Sequence, residues 1–142
     1  MAASKKKWLV FVSHSGEDTW VARKIAHEIT ACGATPFLDD ADVEVGAEFE
    51  EDMRDFLDKA NELLVLFTPW ALDGPYVSME IGAAWLRRIP IVVVLHGLSA
   101  KEFQAHPKAP VLLKKRDIIR LNDIDQYLRE LKTRANKGKT HE

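Results

Sequence analysis

Short apolar runs alternate with amphipathic stretches along this chain, at a pitch that predicts strands and helices in turn. Four runs are rich in β-branched, aromatic or leucine residues: Trp8–Val12 (WLVFV), Thr35–Leu38 (TPFL), Leu63–Phe67 (LLVLF) and Ile91–Leu95 (IVVVL). A fifth, weaker run is Ile118–Leu121 (IIRL). The third and fourth are apolar at every position, as expected of parallel strands covered on both faces.

The stretches between them carry helical periodicity. Val21, Ile25, Ile29 and Cys32 form one stripe, with Gly33 placed to close it. Phe49, Met53, Phe56, Leu57 and Ala60 form a second. Val77, Ile81, Ala84 and Trp85 form a third, all read as core-facing, with Pro75 in the first turn where its missing N–H costs nothing. Ser99 and Glu102 have capping-box spacing for a short helix that ends before Pro107. Ile124, Leu128 and Leu131 mark a last helix, with Asn122 and Asp123 as cap candidates.

Strands alternating with helices give a parallel sheet with right-handed crossovers. The expected architecture is α/β: a single flavodoxin-like three-layer domain. Its five-stranded parallel sheet takes the order 2-1-3-4-5, with helices on both faces. Residues 1–7 read as an N-terminal extension, 8–135 as the domain and 136–142 as a polar, frayed tail.

Composition narrows the function classes. The chain has 142 residues, 46% hydrophobic and 30% charged, which is ordinary for one soluble domain. A net charge of −2 and a pI near 6.2 speak against a nucleic-acid binder. A single cysteine, Cys32, excludes an internal disulfide, fits a reducing compartment and reads as a core residue. The apolar part of the N-terminus is too short for a signal peptide, and no run approaches the ~20 residues of a membrane span. The expected location is cytoplasmic, with no membrane partner.

In doubly wound sheets, ligands bind beyond the carboxyl ends of the strands, where the first and third strands part. That rule selects Ser13–Asp18 (SHSGED) and Thr68–Tyr76 (TPWALDGPY), with Asp39–Gly46 (DDADVEVG) as a neighbouring rim or lid. Ser13, Ser15, Glu17 and Asp18 either cap the first helix or take part in binding a ligand, with Ser13 and Ser15 as substrate-binding candidates. The two roles are compatible, because N–H groups at such a start also bind phosphate. Trp70 and Tyr76 flank the crevice, either as packing residues or as platforms for a planar ring. Glu80 is the one acid in an otherwise small and apolar stretch, DGPYVSMEIGAAW. Either it reaches water on a helix face or it sits in a pocket with work to do, since an unpartnered buried carboxylate costs several kcal/mol.

Several chemistries fail. The first strand ends in Val12-Ser13-His14, without the acids of a phosphoacceptor receiver domain. There is no dinucleotide-binding glycine fingerprint, no P-loop and no nucleophile elbow. The five histidines show no short ligand spacing, so no metal site is expected.

Three stretches together resemble a Toll/interleukin-1 receptor (TIR) domain: FVSHSGED, FLDDADVEVGAEF and LLVLFTPWALDGPYVSMEIGAAW. The resemblance covers roughly residues 8–135, and the EIGAAW ending is similar to bacterial members. Many TIR domains of bacteria, plants and an animal axonal protein cleave NAD⁺ at the nicotinamide–ribose bond. They use a glutamate in the helix after the third strand, often as W-x-x-x-E. Here Glu80 matches that glutamate and Tyr76 replaces the tryptophan. The resemblance further implies that Ser13 and His14 line the pocket, and that the segment beginning at Asp39 helps close it, often against a second TIR subunit.

The implied function is an NAD⁺ nucleosidase or ADP-ribosyl cyclase, with NAD⁺ as substrate and no cofactor. TIR–TIR self-association, a separate sensor protein and a role in bacterial defence against phage belong to the same expectation. The competing reading is a non-catalytic TIR–TIR adaptor module. A third places the fold beside nucleoside deoxyribosyltransferase-like enzymes, in which a glutamate attacks the sugar.

Overall fold

Every residue of β3 (Glu62–Phe67) is buried, and the sheet is built around that strand. The computed structural model describes residues 7–38, 47–73, 75–109 and 118–140. On one side of β3 lie β1 (Leu9–Ser13) and then β2 (Thr35–Leu38). On the other lie β4 (Ile91–Leu95) and then β5 (Ile118–Arg120). All pairings are parallel, so the order is β2-β1-β3-β4-β5, the flavodoxin-like arrangement expected from the alternation. Pro36 falls in an edge strand, where its missing N–H removes no second ladder.

Side chains along each strand alternate between two layers. Val10, Val12, Leu64, Leu66 and Val94 face α1 (Thr19–Ala31) and α5 (Ile124–Thr140), which supply Ile25, Ile29, Leu128 and Leu131. Phe11, Leu63, Val65, Phe67, Val93 and Leu95 face α2 (Ala47–Lys59), α3 (Pro75–Leu86) and α4 (Ala100–Ala105). Phe11, Phe37 and Phe56 form an aromatic cluster there, with ring centroids 4.6–6.1 Å apart. Helix α4 has only six residues, too few to persist alone. It is held by the Ser99–Glu102 capping box and by Phe103, whose ring meets Phe67 at 5.0 Å. Burial of that one side chain contributes about 1.5–3 kcal/mol.

Helices α1 and α3 end in the same Schellman geometry. Gly33, at φ 94°, donates to Thr30 while Ala34 donates to Ile29. Arg88, at φ 60°, donates to Trp85 while Ile89 donates to Ala84. The sequence marks only the first, because only there is the left-handed residue a glycine.

Four expectations shift. On α1, Ala22 and Ala26 are buried while Val21 and Cys32 are half-buried, so the stripe is rotated toward the alanines. On α3, the buried arc is Val77, Glu80, Ile81 and Ala84, and Trp85 on its flank is 52% exposed rather than core. Asn122 and Asp123 lie in a 3-10 turn before α5, and Asp123 binds Arg120 instead of capping. Helix α5 continues to Thr140, into the stretch read as a polar tail. Residues Asp39–Gly46 lie outside the described residues, as do the side chains of Phe49, Met53 and Tyr76.

Candidate functional site

Ser13 ends β1, opposite Val65 in the β3 register. Strand alternation turns its side chain, like that of Phe11, toward the α3 layer. On α3, Glu80 shares an arc with Val77, Ile81 and Ala84, so packing that arc on the sheet carries the carboxylate inward to 1% exposure. There the fully buried Ser13 hydroxyl donates to Glu80 Oε1 at 2.5 Å. A charge-assisted O–H···O⁻ bond of this kind offsets part of the carboxylate's desolvation. Of the two readings open for Glu80, a solvated helix face is therefore excluded.

His14 follows at the mouth of β1 and is 4% exposed. Its Nδ1 stands 3.5 Å from the Val12 carbonyl, at the outer limit of a hydrogen bond. Among the described residues, His14 Nε2 has no hydrogen-bond partner. Ser15 acts as a cap: its hydroxyl accepts from the Glu17 N–H at 3.3 Å and opens a short 3-10 turn, Gly16–Asp18. Trp70 stands 56% exposed in the loop after β3. The structure thus joins Ser13 to Glu80, with His14 buried next to Ser13 at the end of β1. It leaves Trp70 toward solvent and gives Ser15 a local role. Asp39 and the Tyr76 side chain lie outside the described residues.

One pair at this crevice was not legible in the sequence. Asp18 precedes α1 in the N-cap position but makes no cap bond. Its Oδ2 instead accepts from Thr68 Oγ1 at 2.5 Å, and Thr68 Oγ1 accepts from the Ala71 N–H at 3.2 Å. Asp18 and Thr68 are both buried. The only sequence signal is a threonine directly after an all-apolar run.

A third buried carboxylate lies at the opposite, amino end of the strands. Glu62 Oε1 accepts from Trp8 Nε1 at 2.7 Å and from Arg134 Nε at 3.0 Å. Its Oε2 accepts from the Tyr127 hydroxyl at 2.5 Å and from Arg134 Nη2 at 3.1 Å. Burial, followed by the adjacent Glu62 charge, pushes the Tyr127 hydroxyl well above the ordinary phenol range. An open cleft of about 880 Å³ borders this knot, lined by Pro90, Ile118, Arg120 and Glu130 among others. Glu62 is nonetheless saturated by its own donors. Its task is to tie Trp8 and β3 to α5. Chemistry is better placed at the carboxyl end. Among the described residues no group of three or more His, Cys, Asp or Glu side chains could hold a metal ion. None of the described helices is long and apolar enough to cross a membrane.

Among solved structures, the chain is similar to the TIR domain of the Toll-related receptor TRR-2 from Hydra magnipapillata. That match has 17% identity and a TM-score of 0.64, covering 86% of this chain and 96% of that one. It is also similar to a conserved protein from Enterococcus faecalis V583, at 14% identity and a TM-score of 0.65, covering 91% and 99%. A third similarity is to the TIR domains of the activated Roq1 resistosome, which directly recognises the pathogen effector XopQ. Here identity is 17% and the TM-score 0.54, covering 96% and 86%. Identities this low establish likeness of fold alone. No curated protein matches the sequence. A profile of the TIR domain family matches residues 10–132, from within β1 through most of α5, and the chain belongs to that family.

Proposed function

We propose that this TIR domain cleaves the nicotinamide–ribose bond of NAD⁺, with Glu80 as the catalytic carboxylate. The observation that carries the reading is the buried Ser13–Glu80 pair at the carboxyl ends of β1 and β3, where doubly wound sheets bind ligands. A solvated or merely capping glutamate has no need of that place or that partner.

A single carboxylate suits this chemistry. Ordinary glycosides need a second acid to protonate the leaving oxygen. Nicotinamide in NAD⁺ is already a pyridinium: the C1′–N bond breaks, its electron pair goes to the ring nitrogen, and the base departs neutral. What remains is to orient the ribose and stabilise oxocarbenium character at C1′, and an ionised Glu80 beside the sugar hydroxyls does both. Ser13 fixes the orientation of the carboxylate. In this reading His14, buried next to Ser13 at the end of β1, lines the pocket. Trp70, Tyr76 and the segment beginning at Asp39 complete the pocket in this reading, and Ser15 holds the turn beneath it. Water as acceptor gives ADP-ribose; an internal hydroxyl or the adenine gives a cyclic isomer.

The proposal extends to a bacterial-type protein acting in defence against phage, switched on by self-association or by a separate sensor. Unrestrained NAD⁺ loss harms the host cell, which calls for such a switch. The similarity to TIR domains of an activated resistosome is consistent with it. The test is to incubate the protein with NAD⁺ over a wide range of protein concentration and quantify nicotinamide by chromatography. Specific activity is expected to rise with concentration; a constant value would remove self-association from the scheme.

A second reading, a non-catalytic interaction module, draws on the outer face of α3, where Met79, Trp85 and Leu86 are all more than half exposed. Absence of turnover even in artificially clustered protein, together with tight partner binding, would favour it.

A further inference from the structure

Two buried hydrogen bonds straddle the carboxyl ends of β1 and β3, one on each face of the sheet. Ser13–Glu80 lies on the α3 side. Asp18–Thr68 lies on the α1 side, because Thr68 follows Phe67 and so faces the opposite layer. The two bonds join the same pair of segments, 13–18 and 68–80, at opposite ends. The path from Thr68 to Glu80, which carries Trp70 and the start of α3, is thereby fixed at both ends to the loop after β1.

Asp18 is poorly explained as a helix cap. It occupies the N-cap position of α1 and leaves it unused, while Ser15 serves the preceding turn. Its carboxylate, 4% exposed, meets a threonine hydroxyl that is itself held by the Ala71 N–H. A largely buried carboxylate on a threonine hydroxyl is a costlier contact than an apolar one, and unlike an apolar one it is directional.

We infer that Asp18 and Thr68 are a positioning pair: they set where the segment leading to Glu80 leaves β3, and so set the placement of the Glu80 carboxylate against Ser13. This rests on the proposed NAD⁺ cleavage for its kinetic consequence, though not for its structural one. Neither residue touches the reacting atoms.

The test compares Thr68→Val, Thr68→Ser and Asp18→Ala with the wild type in two readouts. In NAD⁺ turnover, Thr68→Val and Asp18→Ala are expected to lower kcat about tenfold or more with KM changed less than about threefold. Thr68→Ser, which keeps the hydroxyl, restores kcat. In the NMR spectrum of protein carrying ¹³C-labelled glutamate carboxyls, Thr68→Val is expected to move the Glu80 signal and Thr68→Ser to leave it in place. The pair is overturned if Thr68→Val leaves the Glu80 signal unmoved, or if Thr68→Ser is as impaired as Thr68→Val. A wild type that releases no nicotinamide defeats the catalytic reading instead, and the NMR comparison then decides the positioning pair alone. Should Asp18→Ala not fold, the two Thr68 variants carry the test.

Discussion

Ser13 and Glu80 are 67 positions apart in the chain, yet the serine hydroxyl donates to the glutamate at 2.5 Å inside the protein. A hydrogen bond to a charged group contributes about 1.5–3 kcal/mol. If that bond orients the carboxylate for reaction, Ser13→Ala is expected to lower kcat roughly thirtyfold, equivalent to about 2 kcal/mol. Ser13→Thr, which keeps the hydroxyl, is expected to retain more of the rate. Steady-state kinetics on the two variants check this, and an undiminished Ser13→Ala would show that Glu80 needs no such partner.

The Glu62 knot at the other end of the strands predicts a stability effect. Glu62→Ala strips the shared acceptor from Trp8, Tyr127 and Arg134 in a buried setting. Removing one partner of a buried charged cluster costs about 3–5 kcal/mol, and the partial exposure of Arg134 argues for the lower end. Urea unfolding is the measurement. A loss below about 1 kcal/mol would mean that water replaces the carboxylate without strain.

Arg88 offers a stabilising change. It takes the left-handed position that Gly33 takes at the end of α1. A side chain there costs about 1–2 kcal/mol, so Arg88→Gly is expected to raise stability by about 1 kcal/mol with an unchanged denaturant slope. A lower unfolding midpoint would indicate that the arginine side chain makes up for its backbone.

The Cys32 thiol carries a pH prediction. Burial first, then the nearby Glu28 charge, raise its pKa, with Lys132 opposing. The folded state holds this proton more tightly than the unfolded chain does. The associated stability is present below the unfolded thiol pKa of about 8.5 and is lost as pH rises through the higher folded value. Alkylation at pH 8 is accordingly expected to be slower in the folded protein than in urea-unfolded chain, and equal rates would contradict the shift.

The fold was readable because its signals are local. The unbroken apolar runs of β3 and β4 mark buried parallel strands, Gly33 marks a helix end, and Ser99 with Glu102 marks a helix start. Trp85 misled because the apolar surface of α3 is wider than the arc the sheet covers, so periodicity alone could not place its edge. The arc itself was nearly right, apart from omitting its one carboxylate. The site was legible only in part. Glu80 stood out as an acid among apolar neighbours, but its contact with Ser13 depends on strand register. Asp18 read as a cap, and nothing short-range links it to Thr68, 50 residues away. Glu62 was passed over because a charge at the start of a strand is ordinarily solvated, and its donors come from distant Trp8, Tyr127 and Arg134.

The central claim is that Glu80 carries NAD⁺ cleavage. The most direct measurement is nicotinamide release from NAD⁺ by wild type beside Glu80→Gln, with both proteins shown to be folded by circular dichroism. Glutamine keeps the size and an acceptor for Ser13 while removing the charge that supports the ribosyl cation. The expected result is turnover by the wild type and a loss of a thousandfold or more, on the order of 4 kcal/mol, in Glu80→Gln. Equal nicotinamide release by the two proteins would contradict the claim.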